Sequence, residues 1–210
     1  MKKRLLLLLL AGLLLTGCGN DGKASDTSGN TNGSETGSES GTESEGGTES
    51  DTEQEPYVLV FEAKTIDGEA MTSDIFAQSK LTMLNVWATY CSPCINEMPD
   101  LGEIGREYDK SEFQIVGIIC DVMEISTEDE KAKARDIIEQ TKADYPHLLL
   151  NDALYYNMVG ASSSVPTTYF FNEKGELLGY LVGAQSKENW ESIIDGLLDE
   201  LNGTGWDGLN

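Results

Sequence analysis

Hydrophobic and polar positions change rhythm along this chain, and each change marks a boundary. Residues 5–15 form an unbroken apolar run behind the basic start Met1-Lys2-Lys3-Arg4. Residues 19–56 carry almost no large apolar side chain and are dominated by Gly, Ser, Thr, Asn and Glu. From Tyr57 onward apolar residues recur with the periods of strands and helices, so only this last stretch is able to bury a core. Alternation over 57–66 predicts a strand, closed by the turn pair Asp67-Gly68 as the start of a hairpin arm. The run Leu-Thr-Met-Leu-Asn-Val-Trp at 81–87 suits a strand buried on both faces, followed by a helix over 93–108 and a second buried strand over 113–120. Strand, helix, strand requires a right-handed crossover and a parallel pair.

Further along, Ala132, Ala134, Ile137 and Ile138 give a helix over 128–142, with Ser126-Thr127 as its capping candidate. A strand at 147–150, a weak helix at 153–159 and a hairpin of 167–171 with 176–182 about the turn at 172–175 come next. Ser186 caps a last amphipathic helix to Leu201. These elements compose an α/β domain, a sheet covered by helices on both faces with a β-hairpin at its N-terminal side.

Charge and the leader add an address. The net charge of -23, from 14 Lys and Arg against 37 Asp and Glu, excludes a nucleic-acid ligand, which needs a concentrated basic face. The basic start and short apolar run read as an export signal, too short to span a membrane comfortably. It ends Leu15-Thr16-Gly17-Cys18, which resembles the lipobox of bacterial lipoproteins and makes Cys18 the expected lipidated N-terminus of the mature chain. The expected organisation is a signal peptide at 1–17, the anchor and a disordered acidic tether at 18–56, one domain at 57–203 and a tail at 204–210. A tether of that length spans on the order of 35 Å, which places the domain outside the cytoplasm and just above the membrane.

The stretch Trp87-Ala88-Thr89-Tyr90-Cys91-Ser92-Pro93-Cys94 carries the chemistry. Two cysteines at i and i+3 in a first helical turn share a side, so their sulfurs either close a small disulfide or open to a dithiol. Cys91, at the helix start, gains from unpaired amide N–H groups and the helix dipole, which lower a thiol pKa from about 8.5 to about 3.5–7.5 in such motifs. Cys94, one turn inside, is the expected resolving thiol, and Pro93 fits a first turn that needs no N–H. Half a zinc site and a purely structural disulfide compete with this reading. Against zinc, the domain adds only His147 and Cys120 as further soft ligands, and no metal or cofactor is expected. Cys120, in phase with Val116 and Ile118, reads as a small core residue, and His147 has no assigned role.

From these motifs the chain resembles the thioredoxin superfamily, and within it the TlpA/ResA-like disulfide reductases, over about 57–201. Asn85 to Cys94 is similar to their active-site strand and turn, Glu97-Met98-Pro99 to the continuing helix, and Val165-Pro166-Thr167-Thr168 to their cis-proline loop. The resemblance implies a thioredoxin-like fold with a central mixed sheet. It implies a cis Val165-Pro166 bond opposite the cysteines, with Val165, Pro166 and Trp87 on the substrate side. It also implies a glutamate, Glu97, that takes a proton from Cys94, and a kink at Pro99. Asn85 stands where thioredoxins proper carry a buried aspartate, which points to the TlpA/ResA group. The implied partners are exported disulfide-containing proteins, apocytochrome c among the admissible substrates, and a membrane thiol donor of the CcdA or DsbD type. Two rivals share the fold: a peroxiredoxin-like thiol peroxidase, which needs a threonine and an arginine near its cysteine, and a binding module without turnover. Arg106 and Arg135, the arginines of the domain, fall on expected surface helices.

Overall fold

Seven residues from Leu81 to Trp87 set the frame. The computed structural model describes residues 56–161 and 164–204; the apolar leader, Cys18, most of the tether and residues 205–210 lie outside the described residues, with the expectations placed on them. In chain order the elements are β1 (Glu62–Lys64), β2 (Ala70–Thr72), β3 (Leu81–Trp87), α1 (Ser92–Glu107), β4 (Phe113–Met123), α2 (Glu128–Thr141), β5 (His147–Leu150), α3 (Asp152–Asn157), β6 (Thr167–Asn172), β7 (Leu177–Val182) and α4 (Lys187–Leu201), with a 3-10 turn at Ser73–Gln78 and another at Val159–Ala161. The main sheet runs β5-β4-β3-β6-β7. β3 is parallel to β4 and β4 to β5, whereas β6 is antiparallel to both β3 and β7. This is the mixed sheet of a thioredoxin-like fold.

Strand geometry divides the core, because successive side chains point to opposite faces. Leu81, Met83 and Trp87 join Cys94, Met98, Leu101 and Ile104 of α1 and Trp190, Ile194 and Leu197 of α4 on one face. Leu84 and Val86 join Leu59, Phe61, Phe76 and Leu154 on the other. α1, α2 and α4 therefore cover one face; the N-terminal arm and α3 cover the second. Asn85, in phase with Met83 and Trp87, is sent toward α1 with no exposed surface. Polar and buried, it must find a partner there.

Two boundaries differ from the sequence expectation. The strand expected over 57–66 survives as β1 alone, paired with β2, while Val58 bridges to Glu176 and Thr65 to Leu148. The alternation of Leu59, Phe61 and Ala63 is real and buried, but it records packing across one face as the chain passes from β7 toward β5, and no single neighbour supplies a ladder. β4 continues past Cys120 to Met123, and its register with β5 shifts between Ile119 and Met123. Cys120 lies inside that irregularity, where β4 advances four residues from Ile119 to Met123 while β5 advances one from Leu149 to Leu150, and it is only partly buried, touching both core clusters. α2 is capped by Thr127, whose side chain accepts from Glu130 N–H while the Glu130 carboxylate accepts from Thr127 N–H.

Candidate active site

The turn that leads from β3 into α1 is fixed from below and from the side. Trp87 is wholly buried, and its indole N–H donates to His147 Nδ1 at 3.1 Å. His147 in turn donates from Nε2 to the carbonyl of Ala143 at 2.8 Å, which sets the neutral Nε2–H tautomer. Burial drives the His147 pKa down to about 4. Gly117 makes room for this ring, since a Cβ there would collide with the imidazole. Beside the turn, Thr89 donates from both its backbone N–H (3.0 Å) and its hydroxyl (2.6 Å) to the Asp121 carboxylate on β4. Neither Asp121 nor the His147–Trp87 pair was expected from sequence, because each contact joins residues tens of positions apart through the sheet.

On this support Cys91 takes the N-cap position of α1 and Pro93 stands in the first turn. Cys91 and Cys94 form a disulfide with their Cα atoms 5.3 Å apart. Cys91 Sγ accepts the backbone N–H of Cys94 at 3.2 Å, so an orphan amide of the helix start is aimed at this sulfur. No acidic residue occupies the first turn of α1 to oppose a thiolate. Cys94 has no exposed surface, while Cys91 keeps 5%. The Val165–Pro166 peptide bond is cis, and the carbonyl oxygen of Val165 lies 3.6 Å from Cys91 Sγ. Trp87, grouped on sequence with the substrate residues, has no surface to offer; it acts on the site by holding the turn.

Glu97 follows Cys94 by one turn and is buried, at 3% exposure. Its Oε1 accepts from Asn85 Nδ2 at 3.2 Å, and its Oε2 accepts from the backbone N–H of Gln185 at 3.2 Å. Gly183 makes the second contact possible: its positive φ of 98° turns the chain after β7, and its N–H donates to the Pro166 carbonyl. Burial raises the Glu97 pKa to about 7, against the opposing pull of Gln185, Asn85 and Trp190. The Trp190 indole N–H is thus near enough to favour the charge without meeting hydrogen-bond geometry, and Tyr145 is near enough for Glu97 to push its own pKa up. A cavity of about 290 Å³ is bounded by Val86, Tyr90, Cys120, Tyr155 and Val165 among others. Burial pushes the Cys120 thiol up to about 11, so this cysteine is a poor nucleophile at neutral pH. Among the described residues no group of three or more His, Cys, Asp or Glu is placed to hold a metal ion, and no helix is long and apolar enough to cross a membrane.

Comparison with known proteins places this geometry. The model of the AhpC/TSA family matches residues 57–178, more than half of the 210-residue chain. The chain belongs to the AhpC/TSA family. It is 31% identical over 138 residues to the thioredoxin-like protein YneN of Bacillus subtilis, covering 64% of this chain and 75% of the relative. It is 26% identical over 151 residues to the thiol-disulfide oxidoreductase ResA of Oceanobacillus iheyensis, covering 68% and 71%. Among solved structures, a thioredoxin-family thiol:disulfide interchange protein from Chlorobium tepidum superposes with a TM-score of 0.58 at 22% identity, over 70% of this chain and 99% of that one. This AhpC/TSA member is a thiol-disulfide oxidoreductase of the thioredoxin superfamily carrying a Cys-x-x-Cys pair at Cys91 and Cys94.

Proposed function

We propose that the chain is an extracytoplasmic, membrane-tethered reductase of disulfides in exported proteins. The observation that carries the reading is the surroundings of Cys91: a sulfur at the helix start that accepts the Cys94 N–H, beside the Val165 carbonyl of the cis-proline loop. In the reduced enzyme the Cys91 thiolate attacks one sulfur of a substrate disulfide. A mixed disulfide forms and the other substrate sulfur leaves as a thiolate, which takes up a proton. Cys94 then gives its proton to Glu97 and attacks Cys91. The mixed disulfide breaks, the second substrate sulfur departs and is protonated, and the enzyme is left with the Cys91–Cys94 disulfide. Two electrons have passed to the substrate, and a membrane thiol carrier of the CcdA or DsbD type returns them. Val165 and Pro166 hold an extended substrate segment next to Cys91 by backbone pairing. The Cys18 lipid and the 18–56 tether keep the domain at the membrane, where exported proteins such as apocytochrome c are met.

A peroxiredoxin-like reading has the family model's description in its favour. The arginines count against it: Arg106 pairs with Asp144 and the Lys142 carbonyl, and Arg135 with Glu128 and the Ile66 carbonyl, none of them at Cys91. Insulin reduction by dithiothreitol, followed with and without the full chain, tests the proposal. Acceleration that disappears in Cys91→Ser supports it. Peroxide consumption that persists in Cys94→Ser, with no acceleration of insulin reduction, favours the peroxidase.

A further inference from the structure

Three polar atoms among the described residues are buried without a hydrogen-bond partner: Asn85 Oδ1, Trp190 Nε1 and the Tyr145 hydroxyl. All three belong to side chains that surround Glu97, which the proposed function makes a proton carrier. A buried carboxyl that gains and loses a proton needs a donor facing it when charged and an acceptor facing it when neutral, since an unmatched polar group in the interior is costly. The backbone N–H of Gln185 and the indole N–H of Trp190 only donate. Asn85 alone is already within hydrogen-bond distance of the carboxyl and owns both kinds of atom.

Its second contact survives the exchange. Asn85 Nδ2 also donates to Thr168 Oγ1 at 3.0 Å, and a threonine hydroxyl either accepts or donates. Half a turn about the Cβ–Cγ bond swaps Nδ2 and Oδ1 in place. The amide then accepts from the protonated Glu97 and from the Thr168 hydroxyl, through the oxygen that is otherwise orphaned. We propose that Asn85 is a positioning residue for the proton step: its amide turns over with the charge of Glu97, donating to the carboxylate and accepting from the acid, so that the Glu97 carboxyl meets a complementary partner in both states, while the unpartnered position beside it passes from Oδ1 to Nδ2.

The inference rests on the reading of Glu97 as proton carrier but is separable from it, because the amide reports its own orientation. The charged and titratable groups facing Glu97 are Asp100 on its own helix and Tyr145 from the segment before β5. From β3, α4 and the loop after β7 it meets the neutral Asn85, Trp190 and Gln185 N–H. Asn85 is the group with a partner on each side.

The test is nuclear magnetic resonance of the isotope-labelled full chain in the disulfide state, with the Glu97 carboxyl carbon and the Asn85 side-chain amide followed from pH 5 to 9. The expected result is an Overhauser contact between the Asn85 amide protons and Thr168 that is strong at high pH, fades at low pH with the midpoint of the Glu97 carbon, and loses its pH dependence in Glu97→Gln. A contact unchanged while the Glu97 carbon titrates overturns the proposal. In Asn85→Leu the proton affinity of Glu97 is expected to rise about tenfold or more, because the charge-assisted bond lost is the stronger of the two, and the pH profile of insulin reduction moves upward with it. If that variant does not fold, the wild-type and Glu97→Gln titrations decide alone. A failed insulin assay beside a turning amide would reject the reductase reading and leave the amide switch standing.

Discussion

His147 and Glu97 are both buried near the active-site turn, and they are treated in opposite ways. His147 has both ring nitrogens engaged, one accepting from Trp87 and one donating to Ala143, so a single neutral tautomer is locked in place. Glu97 accepts two hydrogen bonds, yet it stands among orphaned groups of Asn85, Tyr145 and Trp190. A group satisfied in one protonation state is a structural pin. A group whose surroundings hold partners for both states is placed to change. Both pKa values are displaced by burial, so the shift alone does not distinguish them; the hydrogen-bond inventory does.

Substitutions break the comparison at either end. Replacing Glu97 by Gln keeps the shape and removes the exchangeable charge, and disulfide reduction at pH 7 is expected to fall about 100-fold, the lower end of what a positioned acid or base supplies. Stopped-flow measurement of mixed-disulfide resolution checks this. His147→Leu strands the Trp87 N–H and the Ala143 carbonyl, at a cost of about 2–6 kcal/mol for two buried orphans. Urea unfolding measures that loss, while the pH profile of reduction keeps its shape.

Acidity sharpens the contrast, because the two groups pull stability in opposite directions. Glu97, raised from 4.5 to about 7, contributes stability that is complete below pH 4.5 and lost as pH rises through 7. His147, lowered from 6.5 to about 4, contributes stability that is complete above pH 6.5 and lost as pH falls through 4. Each change is worth about 3 kcal/mol at 1.36 kcal/mol per pH unit. Between pH 4.5 and 6.5 they oppose one another. Glu97→Gln is therefore expected to lose stability on acidification relative to wild type over that window, and His147→Leu to gain it, as read from unfolding midpoints at a series of pH values. The smallest effect serves as a control: Thr127→Ala removes the α2 cap, costs about 1 kcal/mol, and alters neither pH dependence.

The sheet strands β3 and β5 were legible residue for residue, because buried strands announce themselves as short apolar runs between turns. The Cys-x-x-Cys pair and the Val165-Pro166 loop were legible as motifs. Less of the site was readable where contacts cross the sheet. The resemblance put Glu97 beside Cys94 but left its depth open, since depth depends on α4 and the loop after β7 closing over it. Asn85 was singled out as a departure from thioredoxin, yet its bond to Glu97 follows from which face of β3 meets α1. Gln185, Trp190, Tyr145 and Thr168 reach the site from four other segments, and no local pattern marks them. The N-terminal arm shows the reverse case: its alternation was correct, but alternation records burial and does not guarantee a strand partner.

The unequal chemistry of the two sulfurs is tested most directly by alkylating the reduced full chain with iodoacetamide across pH and locating the label by mass spectrometry. Cys91 is expected to react first, with a midpoint clearly below 8.5, while Cys94 stays protected until the fold is opened. Equal labelling of the two, or a Cys91 midpoint no lower than that of a free thiol, would contradict the assignment of Cys91 as the attacking group.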